Sequence, residues 1–171
     1  MDIRSCTAAD LSLLTSLWPL RGEVHEAHFA RQQEGRSEYL VAWRDGVPLG
    51  SAVVRWDGCS GAQARASHPD AFEICHLQVR PERRGQGVGT QLIAAAEHEA
   101  LTRGHRVAAM AVGDDNARAQ RLYERLGYRT TGIFDVTEYD WTADDGTLHH
   151  ARERDQLLLK QLRIDDVSER G

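Results

Sequence analysis

Three glycines and three arginines crowd the stretch Arg80-Pro-Glu-Arg-Arg-Gly-Gln-Gly-Val-Gly89. Glycines at 85, 87 and 89 let a backbone bend sharply and approach a ligand without Cβ clashes. From Val88 onward Leu92, Ile93, Ala96 and Ala100 recur on one side of a 3.6-residue period, so a helix begins there and runs to Gly104. The first N–H groups of a helix have no partners within it and stand at the positive end of its dipole. Arg80, Arg83 and Arg84 add fixed positive charge, and the combination is a cradle for phosphate. A plain tight turn uses the same glycines, so their spacing has to discriminate. A Walker loop requires Gly-Lys-Ser/Thr, and this stretch has no lysine; a dinucleotide fingerprint requires GxGxxG, and the spacing here is GxGxG.

Upstream, Phe72–Val79 is apolar and β-compatible and is stopped by Pro81, so strand, turn and helix follow one another. A second constellation lies downstream. Val107–Val112 reads as a short buried strand, and Asn116 then opens a helix in which Ala119, Leu122, Tyr123 and Leu126 keep helical spacing until Gly127. Read alone, Asn116 is a helix N-cap and Tyr123 a core aromatic.

The spacing Arg84-x-x-Gly87-x-Gly89, after a strand ending Leu77-x-Val79-x-Pro81, resembles the GNAT superfamily of acetyl-CoA-dependent N-acetyltransferases. The run Asn116…Ala119…Leu122-Tyr123-Glu124-Arg125-Leu126-Gly127-Tyr128 is similar to the second signature of that family. The resemblance covers Phe72–Tyr128 with specific motifs and the flanks only in order and length. It implies that Leu77, Gln78, Val79, Arg84, Gly85, Gln86, Gly87, Val88, Gly89 and Thr90 hold coenzyme A, its pyrophosphate on backbone amides. It implies further that Asn116 touches the pantetheine arm, that Ala119 also belongs to the coenzyme A site, and that Tyr123 sits by the thioester sulfur. The fold implied is α/β (α+β): a mixed, mostly antiparallel sheet flanked by helices, with parallel fourth and fifth strands that splay to admit acetyl-CoA. The reaction implied is acetyl transfer to a primary amine by direct attack in a ternary complex, without a metal.

Such a reaction needs a neutral amine, and an alkylammonium with pKa about 10.4 is only about one part in 10³ neutral at pH 7. A base must therefore take its proton. The resemblance often puts a carboxylate base early in the central strand, where Glu73 stands eleven residues before Arg84. A surface or ion-paired carboxylate is the plain alternative, and His76, His25 and Glu26 are substitutes for the role. In a regular strand Glu73 shares a face with Leu77 and Val79; a bulge, which the family carries there, uncouples them. The amides of Leu77 and Val79, freed by that bulge, are the places to seek oxyanion donors. Tyr123 is implied as proton donor to the leaving thiolate.

The remaining chain frames these elements. Asp2–Ser5 is a short strand, and Thr7 caps a helix through Leu11, Leu14 and Leu17 that Pro19 breaks. A second helix covers Val24–Glu34, its His25 and His28 read as a solvated face rather than a metal pair. Ser37–Arg44 and Val47–Trp56 form a hairpin about Asp45-Gly46, and Asp57–Asp70 is a loop. Tyr128–Trp141 and His149–Leu162 pair across a turn at Thr142–Gly146, with Leu157, Leu158, Leu159 and Leu162 anchoring the last strand. The expected organisation is one domain over residues 1–163 and a frayed tail over 164–171.

At 171 residues, 41% apolar and 27% charged, the chain suits one soluble domain with a real core. No run approaches a membrane span, and the N-terminus lacks the basic and apolar regions of a signal peptide, so a cytoplasmic location is expected. A net charge of −5 disfavours nucleic acid as a partner. Cys6, Cys59 and Cys75 are odd in number and scattered, neither a disulfide framework nor a zinc site, and Cys75 reads as a small core residue. The acceptor is read as a small-molecule amine, with a protein amino group or a non-catalytic acyl-CoA-binding module as alternatives. Pairing into a homodimer through the late strands is left open.

Overall fold

The computed structural model describes residues 1–163; the tail expected at 164–171 lies outside the described residues. Its local grammar follows the sequence closely. Thr7 caps α1 (Ala8–Leu17) in a reciprocal capping box with Asp10, whose side chain returns to the Thr7 N–H. α2 (Val24–Gln33) follows after the break at Trp18-Pro19. Asp45 and Gly46 both take left-handed φ (51° and 74°), the geometry that joins β2 (Ser37–Arg44) to β3 (Val47–Arg55) as a tight hairpin.

With β1 (Asp2–Ser5), β4 (Phe72–Val79), β5 (Val107–Gly113), β6 (Arg129–Thr142) and β7 (Leu148–Gln161), these make a seven-stranded sheet of order β1-β2-β3-β4-β5-β7-β6. Every neighbouring pair is antiparallel except β4 and β5. Those two run parallel and pair only through Phe72↔Ala108 and Glu73↔Ala109 before they part. The sheet is the mixed, mostly antiparallel, splayed one that the resemblance implied.

Helix α4 (Val88–Thr102) lies on one face, its Val88, Leu92, Ile93, Ala96 and Ala100 packed with Phe72, Ile74, Leu49 and Val54 into the main core. Leu14 of α1, with Phe29 of α2, covers Tyr39, Val41, Trp43 and Val53 on the other face. Among the described residues, no helix is long and apolar enough to cross a membrane.

Two expectations are corrected here. Residues 57–70 are not a plain loop: Ala62–Ser67 form a short helix, α3. The Gly61 cap offers no side chain; instead Asp135, on β6, accepts from the Gln63 and Ala64 N–H groups. Nor is the α2 histidine pair a solvated face. His25 is fully buried, its Nε2 2.7 Å from the Trp18 carbonyl and its Nδ1 2.6 Å from the Tyr39 hydroxyl, while His28 is half-buried.

Candidate active site

Where β4 and β5 separate, an open cleft of about 930 Å³ runs between the C-terminal half of β4, the start of α4 and helix α5 (Ala117–Arg125). The backbone sets its floor. Gly85 and Gly87 both take positive φ (75° and 79°), a region that strains other residues, and Gly87 is the left-handed cap that turns the chain into α4. Gly89 is different. It lies inside the helix, and a Cβ there would meet Val79 Cγ2 at 3.7 Å and Leu77 Cδ2 at 3.8 Å, ordinary contacts. Val88, Gly89 and Thr90 line the cleft, and their amides, first in the helix, have no intrahelical acceptors.

Arg83 and Arg84 line the cleft from the turn, Arg84 with its Nε donating to the Val79 carbonyl at 3.2 Å, and Arg118 and Arg125 line it from α5, so four arginines share one cleft with the α4 N-terminus. The α5 pair was not anticipated, although its seven-residue spacing with Leu122 between puts all three on one helix face. Arg80 does not join them: it donates to the Pro48 carbonyl and pairs with Glu82 at 2.7 Å. Of the residues expected to meet coenzyme A, Leu77, Gln78, Val79, Arg84, Gly85, Gly87, Val88, Gly89, Thr90, Asn116, Ala119 and Tyr123 line the cleft. Gln86 does not, and its amide donates to the Glu82 carbonyl. Trp18 and Leu20, from the α1–α2 connection, line it unexpectedly.

Asn116 accepts from the Ala119 N–H at 3.1 Å and so starts α5, which brings Tyr123 to the cleft wall. Burial raises the Tyr123 pKa, which keeps its phenol protonated at neutral pH.

Strand β4 is bulged. Ser51 pairs with Gln78 and Val53 with Cys75, so two residues on β4 oppose one on β3, and His76 takes φ of 49°. The bulge puts Leu77 and Val79 on the α4 face with Phe72 and Ile74, whereas Glu73 lies on the opposite face. Arg80 N–H donates to Leu49 O on β3, so strand alternation turns the Val79 and Leu77 amides toward the edge that β5 has left. Gly50 permits the bulge: a Cβ there would lie 2.6 Å from the Gln78 carbonyl.

Glu73 itself is 1% exposed and lies at the root of the splay. The Ser60 N–H donates to its Oε2 at 2.8 Å and the Ser60 hydroxyl to its Oε1 at 3.1 Å. It does not line the cleft. Burial raises its pKa, against the Ser60 hydrogen bonds and the charges of Arg55 and Arg65, which lower it. Burial pushes the Cys75 thiol up to about 12, so it stays protonated at neutral pH.

The model of the Acetyltransferase (GNAT) family matches residues 9–128 of this sequence, a span that holds both cleft motifs. The chain belongs to the GNAT acetyltransferase family. It is 32% identical over 141 residues to aminoglycoside N(6′)-acetyltransferase type 1 of Salmonella typhimurium, covering 77% of this chain and 93% of that protein. Its fold matches a ribosomal-protein-alanine N-acetyltransferase from Brucella melitensis (TM-score 0.68, 20% identity, 95% of this chain and 100% of that one). It also matches the Salmonella typhimurium protein yncA, solved with its cofactor acetyl-CoA (TM-score 0.66, 21% identity, 95% and 94%). The GNAT enzyme described here thus has its splayed strands and its motif-bearing cleft in one place.

Proposed function

We propose that this acetyltransferase transfers the acetyl group of acetyl-CoA to a primary amine of a small molecule, by direct attack in a ternary complex. The observation that carries the proposal is the cleft itself, lined by the first residues of α4, by four arginines and by Tyr123. The helix amides and arginines would take the diphosphate, because both present donors and positive charge to it. Asn116, Ala119 and Leu122 would flank the pantetheine arm. The relative that matches over most of both chains acetylates, by its name, an aminoglycoside amino group, which favours a small-molecule acceptor over a protein one.

The amine nitrogen would attack the thioester carbonyl beside the bulge, where the Leu77 and Val79 amides stand free to stabilise the oxyanion. Tyr123 would protonate the departing thiolate. Glu73, the base expected from the sequence, enters this scheme only through water, since Ser60 holds both its oxygens. We place the work in the cytoplasm, where acetyl-CoA is available, and in one domain over residues 1–163. A homodimer is proposed through the outer part of β6 and β7, where Trp141 and Leu148 are 47% and 68% exposed.

Titration calorimetry with coenzyme A, followed by thiol release from acetyl-CoA across aminoglycosides, polyamines and amino-terminal peptides, tests the scheme. Micromolar binding with turnover on a small amine supports it. Turnover on peptides alone moves the acceptor to protein, and binding with no turnover makes the chain a binding module.

A further inference from the structure

On the side of β4 opposite α4, the bulge carries a histidine that the scheme above does not use. Among the described residues, His76 is the one non-glycine within a strand held at positive φ. Asp45, at 51°, sits in the hairpin turn, and Glu23, at 53°, precedes α2. A left-handed residue in a strand persists only where its surroundings over-determine it, and such strain gathers at functional sites. Here the twist lifts the imidazole out of the pleat, leaves it exposed, and lays it against His28 of α2, ring centroids 4.7 Å apart. His28 packs in turn on Tyr39 at 5.2 Å, whose hydroxyl meets the buried His25. Like Glu73, His76 is not itself a lining residue of the cleft, but it lies beyond the point where β5 leaves β4 and directly precedes Leu77 and Gln78, both in the cleft wall.

Resting on the acetyl-transfer reading above, we propose that His76, oriented by His28, is the group that accepts the amine's proton. The step balances as follows: the amine nitrogen forms a bond to the acetyl carbon, the carbon–sulfur bond breaks, and the proton released by nitrogen goes to an imidazole nitrogen of His76. Tyr123 gives its proton to the thiolate, and both side chains re-equilibrate with water, giving amide and thiol. Glu73 is a poorer first acceptor because it is sealed beneath Ser60.

The groups facing His76 favour this use. Although His76 is exposed, the groups packed around its ring partly desolvate it, and this, then Arg55 from β3 and Arg31 from α2, lowers its pKa, so the ring is neutral and able to accept at pH 7. His28 is lowered to about 4 by burial and then by His76, His25 and Arg31, so it stays neutral and leaves the charge to its neighbour. On their own elements Glu73 and Cys75 flank His76, and His25 flanks His28; from β2, Tyr39 packs against His28.

The test is the pH dependence of kcat with the best amine from the panel. The wild-type enzyme should lose activity on its acid side through one ionisation below the ordinary imidazole value of 6.5. Asn tolerates left-handed φ, so His76→Asn keeps the bulge; it should lower kcat by about 10²-fold or more and abolish that limb. Its affinity for acetyl-CoA should stay within threefold, which also reports that the variant is folded. His28→Phe should move the limb without removing it. The proposal is overturned if His76→Asn keeps the wild-type limb and rate, or if Glu73→Gln removes the limb while His76→Asn does not. Amine-independent thiol release, or none, with acetyl-CoA binding intact would instead overturn acetyl transfer, and this proposal with it.

Discussion

Replacing Tyr123 with phenylalanine removes one oxygen from the cleft wall and leaves its shape. If the phenol protonates the leaving thiolate, kcat should fall by about 10²-fold, the order expected for losing one general acid. The KM for acetyl-CoA should hardly move; a change in KM alone would reduce Tyr123 to a packing residue. Because burial raises its pKa, Tyr123 should contribute no loss of activity between pH 7 and its ordinary value of 10. Glu73 makes a different prediction, on stability. Its folded-state pKa lies above the ordinary 4.5, so the native protein binds this proton more tightly than the unfolded chain. Stability from Glu73 is then greatest below pH 4.5 and declines as pH rises through the folded value. Glu73→Gln should remove that decline, so that urea midpoints of variant and wild type diverge in the variant's favour from pH 4.5 upward; parallel curves would mean that Ser60 fully compensates the burial. At this scale the sequence was most legible where a local rule applied, as at Asn116, which caps α5. It was least legible where a role depends on a neighbour far along the chain. Nothing in the residues around His25 tells of Tyr39 and the Trp18 carbonyl, and nothing near Glu73 tells of Ser60 closing over it.

The turn into α4 separates two glycines that look alike in sequence. Gly87 sits at φ 79° with open space where a Cβ would go, so its cost to substitution is backbone strain and obstruction of a ligand approaching the amides. Gly87→Ala should cost about 1–2 kcal/mol of strain and weaken acetyl-CoA binding at least tenfold. Gly89 is helical with room for a methyl group against Val79 and Leu77. Gly89→Ala should bind acetyl-CoA within about threefold and gain some helix stability, since Ala exceeds Gly by about 1 kcal/mol there. Equal losses in a calorimetric comparison would show that all the glycines serve the turn alike. Elements built by local rules were legible to within about a residue or two, as element boundaries usually are: the hairpin at Asp45-Gly46, α5 after Asn116, and β4 before Pro81. Helix α3 was not, because its cap is Asp135, a side chain 71 and 72 residues away from the amides it serves. The bulge in β4 was implied by resemblance alone, and Gly50 on the facing strand, which makes room for it, gave no local sign.

A sheet that splits in the middle must be held together by something other than its ladder. Among the described residues β4 and β5 share only two paired positions, and beyond them no strand pairing ties the β1–β4 half to β5, β7 and β6. Part of the answer is a buried polar cluster at Glu97. Glu97 projects from α4, which packs on β3 and β4, and meets Lys160 of β7 through both oxygens at 2.8 and 2.9 Å. Tyr128, entering β6, donates to the same carboxylate at 2.9 Å. The side chains of Glu97 and Lys160 are each only 10% exposed, so the pair is screened little by water. Removing one partner from such a pair leaves a stranded charge and costs about 3–5 kcal/mol. Lys160→Met should therefore lower the melting temperature by roughly 10 °C, at about 2–4 °C per kcal/mol for a chain of this size. Adding Glu97→Gln should restore more than half of the loss, because the amide oxygen still accepts from Tyr128 while the uncompensated charge is gone. Acetyl-CoA affinity of the folded single variant should stay within a few-fold, for the α4 N-terminus lies more than two turns from Glu97. Thermal melts in which the double variant is no better than Lys160→Met would show that the ion pair is not what joins the halves. The splay would then be held by apolar packing of α4 and α5 alone.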